Sequence, residues 1–208
     1  MKTILHLTLA IFISIQLCSC KENAQKNTDV NTNDTVPQSI TKEKKENTRK
    51  TAIVNIEADI SGKKFSLTEY NPETSTDVVF LNGGLQFRIH DYQNKSVLVN
   101  IYSPEMFTKL PLTITRQSLA LPPKEAATSK TQSRLEILIP SRQHFQGDNK
   151  ILYEGSVTLE ELSTTKILIN FDGKGIAHGA RKKTENLFPM KGRIKLENFS
   201  IYDTRMKE

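Results

Sequence analysis

From Thr51 onward apolar residues return at every second position, and that period restricts the chain to β-strands with one buried face. In AIVNIEADI, Ala52, Val54, Ile56, Ala58 and Ile60 fall on one side, with Asn55, Glu57 and Asp59 on the other. Ser61-Gly62 reads as a turn, and KKFSLTEY returns with Phe65 and Leu67 in register. LQFRIHDY sets Leu85, Phe87 and Ile89 against Gln86, Arg88 and His90; after an Asn94-Lys95 turn, SVLVNIY presents Val97, Val99 and Ile101. LPLTIT, RLEILI and ILYEGSVTL supply three further strands. The expected fold is all-β, an antiparallel β-sandwich formed by residues 51–208, a length sufficient for one domain with a substantial core.

KILINFDGKGIAHG offers three readings. Asp172-Gly173 is a hairpin dipeptide, and the glycines resemble a phosphate-cradling loop. The period-two phase nevertheless runs unbroken through Ile167, Ile169, Phe171, Gly173, Gly175 and Ala177. A hairpin has no reason to keep that phase, so one long strand is preferred, thinned by glycine where another backbone or a bulky side chain lies close. Glycines at 173, 175 and 179 do not make a dinucleotide fingerprint. In GRIKLENFSIY the phase shifts between Leu196 and Phe199, which predicts a bulge. The one helical start, Ser103-Pro104-Glu105, predicts a short helix of at most two turns before Pro111. LALPPKEAATSKTQS, residues 119–133, reads as a long exposed loop stiffened by Pro122-Pro123.

The N-terminal fifty residues have a different composition. Lys2 precedes a 14-residue apolar run, Ile4 to Leu17, too short for the ~20 residues of a membrane-spanning helix and followed by small residues. That pattern predicts a secretory signal over residues 1–19. Residues 21–50 contain no aromatic residue, and their seven basic and five acidic residues nearly cancel. Such a stretch buries too little apolar surface to offset its ordering entropy, so residues 20–50 are expected to form a disordered tether reaching roughly 30 Å.

Leu17-Cys18-Ser19-Cys20 resembles the lipobox of bacterial lipoproteins, with an aliphatic residue three before the cysteine and a small one directly before it. The resemblance implies cleavage between Ser19 and Cys20 and acylation of Cys20, with Cys18 leaving in the signal. No thiol would remain for a disulfide, a metal or nucleophilic catalysis. Lipid acylation anchors a protein to a membrane. Lys21 in place of aspartate after the cysteine favours the outer membrane, and the KEN start is similar to the charged export tags of Bacteroidota surface lipoproteins. Asp34-Thr35-Val36 resembles a three-residue O-glycosylation signal of exported proteins from the same phylum, implying modification at Thr35. ADISGKKFSL and GSVTLEELSTTKILINFDGKGI are similar to segments of small lipid-anchored β proteins of Bacteroidota, a resemblance that implies a β-sandwich and carries no activity.

Catalytic constellations are thin. His90, His144 and His178 have no metal-ligand spacing, so no metal or cofactor is expected. Glu160 and Glu161, adjacent at a strand end, are expected to point to opposite faces, which prevents joint action on one substrate. There is no Gly-x-Ser-x-Gly elbow. Residues 51–208 carry 21 basic against 18 acidic residues, and no basic stripe is interleaved with aromatics, so nucleic acid is not an expected partner. Lys174, Arg181, Lys182, Lys183, Lys191, Arg193 and Lys195 form a candidate basic patch for an anionic partner, against the simpler reading of solvated charges. The expected function is that of a non-enzymatic outer-membrane lipoprotein, its sandwich binding a glycan, a peptide or an envelope protein. The alternative is a lipocalin-like barrel carrying an apolar ligand, which Gly173, Gly175 and Ala177 disfavour because they imply close sheet packing.

Overall fold

A computed structural model describes residues 51–119, 130–141, 148–178 and 186–205. These form eleven strands: β1 (Ile53–Ile60), β2 (Lys63–Leu67), β3 (Val78–Leu81), β4 (Gly84–His90), β5 (Ser96–Tyr102), β6 (Leu112–Ile114), β7 (Gln132–Ile139), β8 (Asp148–Leu162), β9 (Lys166–Ala177), β10 (Phe188–Glu197) and β11 (Ile201–Asp203). The fold is all-β, as the alternation predicts. Every apolar position named for the first strand is buried, and Val97, Val99 and Ile101 are wholly inaccessible.

The strands join in the order β11-β3-β4-β5-β7-β8-β9-β10-β1-β2, with β6 added alongside β8. All pairs are antiparallel except β11 with β3, which departs from the purely antiparallel expectation. That one continuous sheet must fold over on itself. β10 and β11 lie near opposite ends of the order, yet only residues 198–200 connect them. So few residues reach about 10–14 Å, which matches the ~10 Å between stacked sheets. The segment 198–200 therefore crosses from one layer to the other, and Phe199 is buried between them. The predicted bulge between Leu196 and Phe199 is instead this crossing. Asn198 turns it with φ 57° and donates its N–H to the Thr165 carbonyl.

The fold-over occurs along β8 and β9. The first half of β8 pairs with β7 and its second half with β6, so the same strand serves both layers. Between the halves the register slips at Leu152/Glu154, and Gly155 adopts φ 117°, a conformation that side chains rarely tolerate. Gly155 lies opposite Gly173, where a Cβ on Gly173 would sit 2.0 Å from the Glu154 carbonyl oxygen. A Cβ on Gly175 would meet the Phe188 ring at 2.7 Å and the Met190 sulfur at 2.9 Å. The long-strand reading of residues 166–177 holds, and its glycines meet a backbone at one position and bulky side chains at the next.

Three further expectations need correction. The short helix at Ser103 does not form. Ser103 Oγ does accept the Glu105 N–H at 3.2 Å, but the bonds from Met106 to Ser103 and from Thr108 to Glu105 span three residues, and the single four-residue bond, Lys109 to Glu105, is not continued into a helix. Met106 is drawn fully into the core, and the segment remains a set of turns. Glu160 and Glu161 do not diverge. A second register slip at Leu159/Glu161 puts both on the polar face, Glu160 accepting from Asn170 at 3.1 Å and Glu161 paired with Lys166 at 2.6 Å. β3 has no counterpart among the predicted strands, and β11, expected as the end of one bulged strand GRIKLENFSIY, is a separate strand. The loop proposed for residues 119–133 lies mostly outside the described residues, and its final two, Gln132 and Ser133, open β7.

Between the layers, Phe87, Ile56, Leu85, Ile89, Ile101 and Leu135 are each under 2% exposed. The interior is filled by side chains.

Candidate functional site: a polar trough across five strands

The outward side of β8, β9, β10, β1 and β2 is concave, enclosing about 730 Å³. Its shape follows from the layer beneath. The inward residues opposite one another across these strands are Val157, Phe171, Gly192, Ala58 and Phe65. Small residues on the central strands let the sheet sink toward the core, while Phe171 and Phe65 prop its flanks. Gly192 has no room for more: a Cβ there would lie 2.3 Å from the Glu57 carbonyl oxygen and 2.6 Å from Phe171 Cζ.

Two rows of side chains line the trough, each running across the strands in exact register. The first is Thr158, Asn170, Arg193, Glu57 and Ser66. On β6 it continues to Thr113, whose hydroxyl meets that of Thr158 at 3.1 Å. The second row is Ser156, Asp172, Lys191, Asp59 and Lys64. Asp59 is already engaged. It accepts from Lys64 Nζ at 2.9 Å and from the Gly62 N–H at 2.8 Å, and the Lys64 contact chiefly holds its carboxyl below the usual carboxylate range, against an opposing effect of burial. Among the described residues, Lys191, Arg193, Glu57 and Asp172 form no ion pair or side-chain hydrogen bond with one another or with any other group. A second hollow of about 360 Å³, lined by Asn55, Glu57, Lys166, Leu168, Arg193 and Lys195, adjoins the first. Glu57 and Arg193 belong to both.

The basic residues singled out in the sequence are only partly assembled here. Lys191, Arg193 and Lys195 form a line along the outward face of β10, and Lys174 projects from the same side of β9. Lys174 pairs with Glu154 at 3.7 Å and Lys195 with Glu197 at 3.0 Å. Carboxylates interleave with the cations, so the surface has mixed charge. Arg181, Lys182 and Lys183 lie outside the described residues, as do Ser19, Cys20, Thr35 and His144. His90, on β4, is half-buried; burial, reinforced by Arg88, holds its pKa below the ordinary imidazole value, with Asp91 opposing. His178, at the end of β9, donates its backbone N–H to the Asn149 carbonyl. Among the described residues, no group of three or more His, Cys, Asp or Glu side chains converges on a point that would hold a metal.

Glu57, Ser66, Ser156, Thr158 and Asn170 were not legible as site residues, because a row across strands is invisible along any one of them. One signal was available: the two-residue turn Ser61-Gly62 places Glu57 opposite Ser66 and Asp59 opposite Lys64.

No protein-family model matches the chain, and no curated protein or solved structure matches it.

Proposed function

We propose that this is a lipid-anchored outer-membrane protein whose β-sandwich is a non-enzymatic binding module, with the trough as its binding face. The anchor reading rests on Leu17-Cys18-Ser19-Cys20 and assigns acylation to Cys20. The binding reading is carried by one observation. Glu57, Asp172 and Arg193 stand in a concavity of about 730 Å³ with no ion pair or side-chain hydrogen bond among the described residues, beside Lys191, whose charge acts on Asp59 without a direct contact. That volume lies within the range of small-ligand sites. Charged groups presented together on a rigid sheet, without partners, are available to a ligand at little reorganisation cost. A carrier would need an apolar hollow between the layers, where Phe87, Leu85 and Ile101 are packed.

The test is capture from detergent-solubilised envelopes by the tagged full chain, set beside an Arg193→Glu/Glu57→Lys variant that keeps the net charge. Material retained by the wild type and lost by the variant is the expected result. Equal recovery by both would remove the trough as the binding face. Fatty-acid labelling of Cys20→Ala checks the anchor separately, since label retained in that variant defeats it.

A further inference from the structure

Resting on the trough as the binding face, we propose that its ligand is a neutral linear oligosaccharide lying across the strands, with successive sugar units over β2, β1, β10, β9 and β8.

Three properties of the trough select that chemistry. The first is direction. Its polar groups continue from strand to strand in register, at intervals of about 4.8 Å, the spacing of hydrogen-bonded neighbours in a sheet. Pyranose units in an extended chain recur at nearly the same interval. Such a chain can therefore place about one sugar over each strand without losing step across five. A peptide in extended conformation repeats at about 3.3 Å and pairs through its backbone with a sheet edge, not with a face.

The second property is the mixture of donors and acceptors. Arg193 and Lys191 only donate, Glu57 and Asp172 as carboxylates only accept, and Asn170, Thr158 and Ser66 do both. A hydroxyl group also does both, so neighbouring hydroxyls on one sugar can accept from Arg193 while donating to Glu57, directly opposite it in the register. An anion would satisfy the cations and leave the carboxylates facing like charge.

The third is charge balance. The trough holds Lys64, Lys191 and Arg193 against Glu57, Asp59 and Asp172. Equal numbers of each sign give no net field to gather a polyanion. The trough therefore suits a neutral partner better than the anionic one for which its basic residues are a candidate patch. The phenyl rings nearest the trough, Phe65 and Phe171, point into the core and offer no stacking platform, so binding must come from hydrogen bonds.

Native affinity electrophoresis of the detergent-solubilised full chain through gels containing a soluble β-glucan, xylan, mannan or polyuronate tests the inference. Retardation is expected in at least one neutral polymer, unaffected by raised salt. It should weaken roughly tenfold or more in Arg193→Ala and in Glu57→Ala, each of which loses charged hydrogen bonds to the sugar. Circular dichroism melts of both variants should match the wild type. Retardation by polyuronate alone, abolished by salt, would overturn the neutral ligand. Absence of retardation in every polymer would also overturn it. If envelope material is still captured in an Arg193-dependent manner, only the sugar assignment fails; if that dependence is also missing, the binding face fails with it.

Discussion

The same folded sheet presents two outward faces, and they handle polar residues in opposite ways. On β8, β9, β10, β1 and β2 the outward polar groups stand open in a trough, several without an ion pair or side-chain hydrogen bond among the described residues. On β5 and β7 the outward polar groups are buried. Asn100, Glu136 and Ser96 are each no more than 5% exposed, and the segment 115–119 runs beside β7 through the Gln117–Ser133 bridge. There Arg134 contacts Glu136 at 2.6 Å and the Leu119 carbonyl, while Asn149 donates to Glu136 at 2.7 Å. Among the described residues, Asn100 Nδ2, Arg134 Nε and Asn149 Oδ1 find no hydrogen-bond partner, a desolvation cost on this buried face. Similar residue types therefore serve cohesion on one layer and remain free for contact on the other. Exposure and pairing distinguish the two roles, and composition does not.

The comparison depends first on the bend that makes two layers out of one sheet. Gly155→Val should cost most, about 4 kcal/mol, because it adds backbone strain at φ 117° to a Cβ 2.2 Å from the Asp172 carbonyl oxygen. Gly175→Val meets the ends of Phe188 and Met190, which can yield, and should cost roughly 1–3 kcal/mol. Urea denaturation measures both; the reverse order would mean that the bend is not where the sheet is most constrained. Glu136→Ala comes next to Gly155→Val in size, at about 3 kcal/mol, since it strands Arg134 on the buried face. Arg193→Ala on the open face should change stability by no more than about 0.5 kcal/mol. Equal losses at Glu136 and Arg193 would erase the contrast between the faces.

The smallest effect concerns His90. Its folded pKa is lowered mainly by burial, so the unfolded chain takes up protons at a higher pH than the native one. Stability should therefore fall as pH drops below about 6.5, until the native imidazole also protonates. His90→Gln should flatten that part of the stability profile, measured by urea midpoints across the window. An unchanged slope would assign the dependence to another group.

Much of the fold could be read in the sequence because its strands are half-buried and joined by short turns. β1, β2, β4 and β5 follow from alternation and from Ser61-Gly62, and the length of β9 follows from a phase that survives two glycines. β3, four residues of VVFL, is too short for a period, and β11 takes its identity from a parallel partner distant in the chain. The bend is set by close contact between β8 and β9, of which Gly155 alone shows nothing. The basic residues of β10 were visible, but the carboxylates set beside them on β1 and β9 were not. Local sequence therefore gave the cations without the neighbours that define their chemistry.

The crossing at residues 198–200 has a consequence for the time at which the domain can close. β11 completes the edge beside β3, and Thr204 donates to the Phe80 carbonyl across 124 positions of sequence. β1 likewise waits for β10. Both pairings need residues 190–203 to be made, and contacts so far apart in sequence form slowly. A chain emerging from the ribosome can pair β1 with β2 at once, but the other side of β1 and the free edge of β3 stay open until β10 and β11 have been made. A domain closed by pairings so distant in sequence stays open and threadable for as long as those partners are missing.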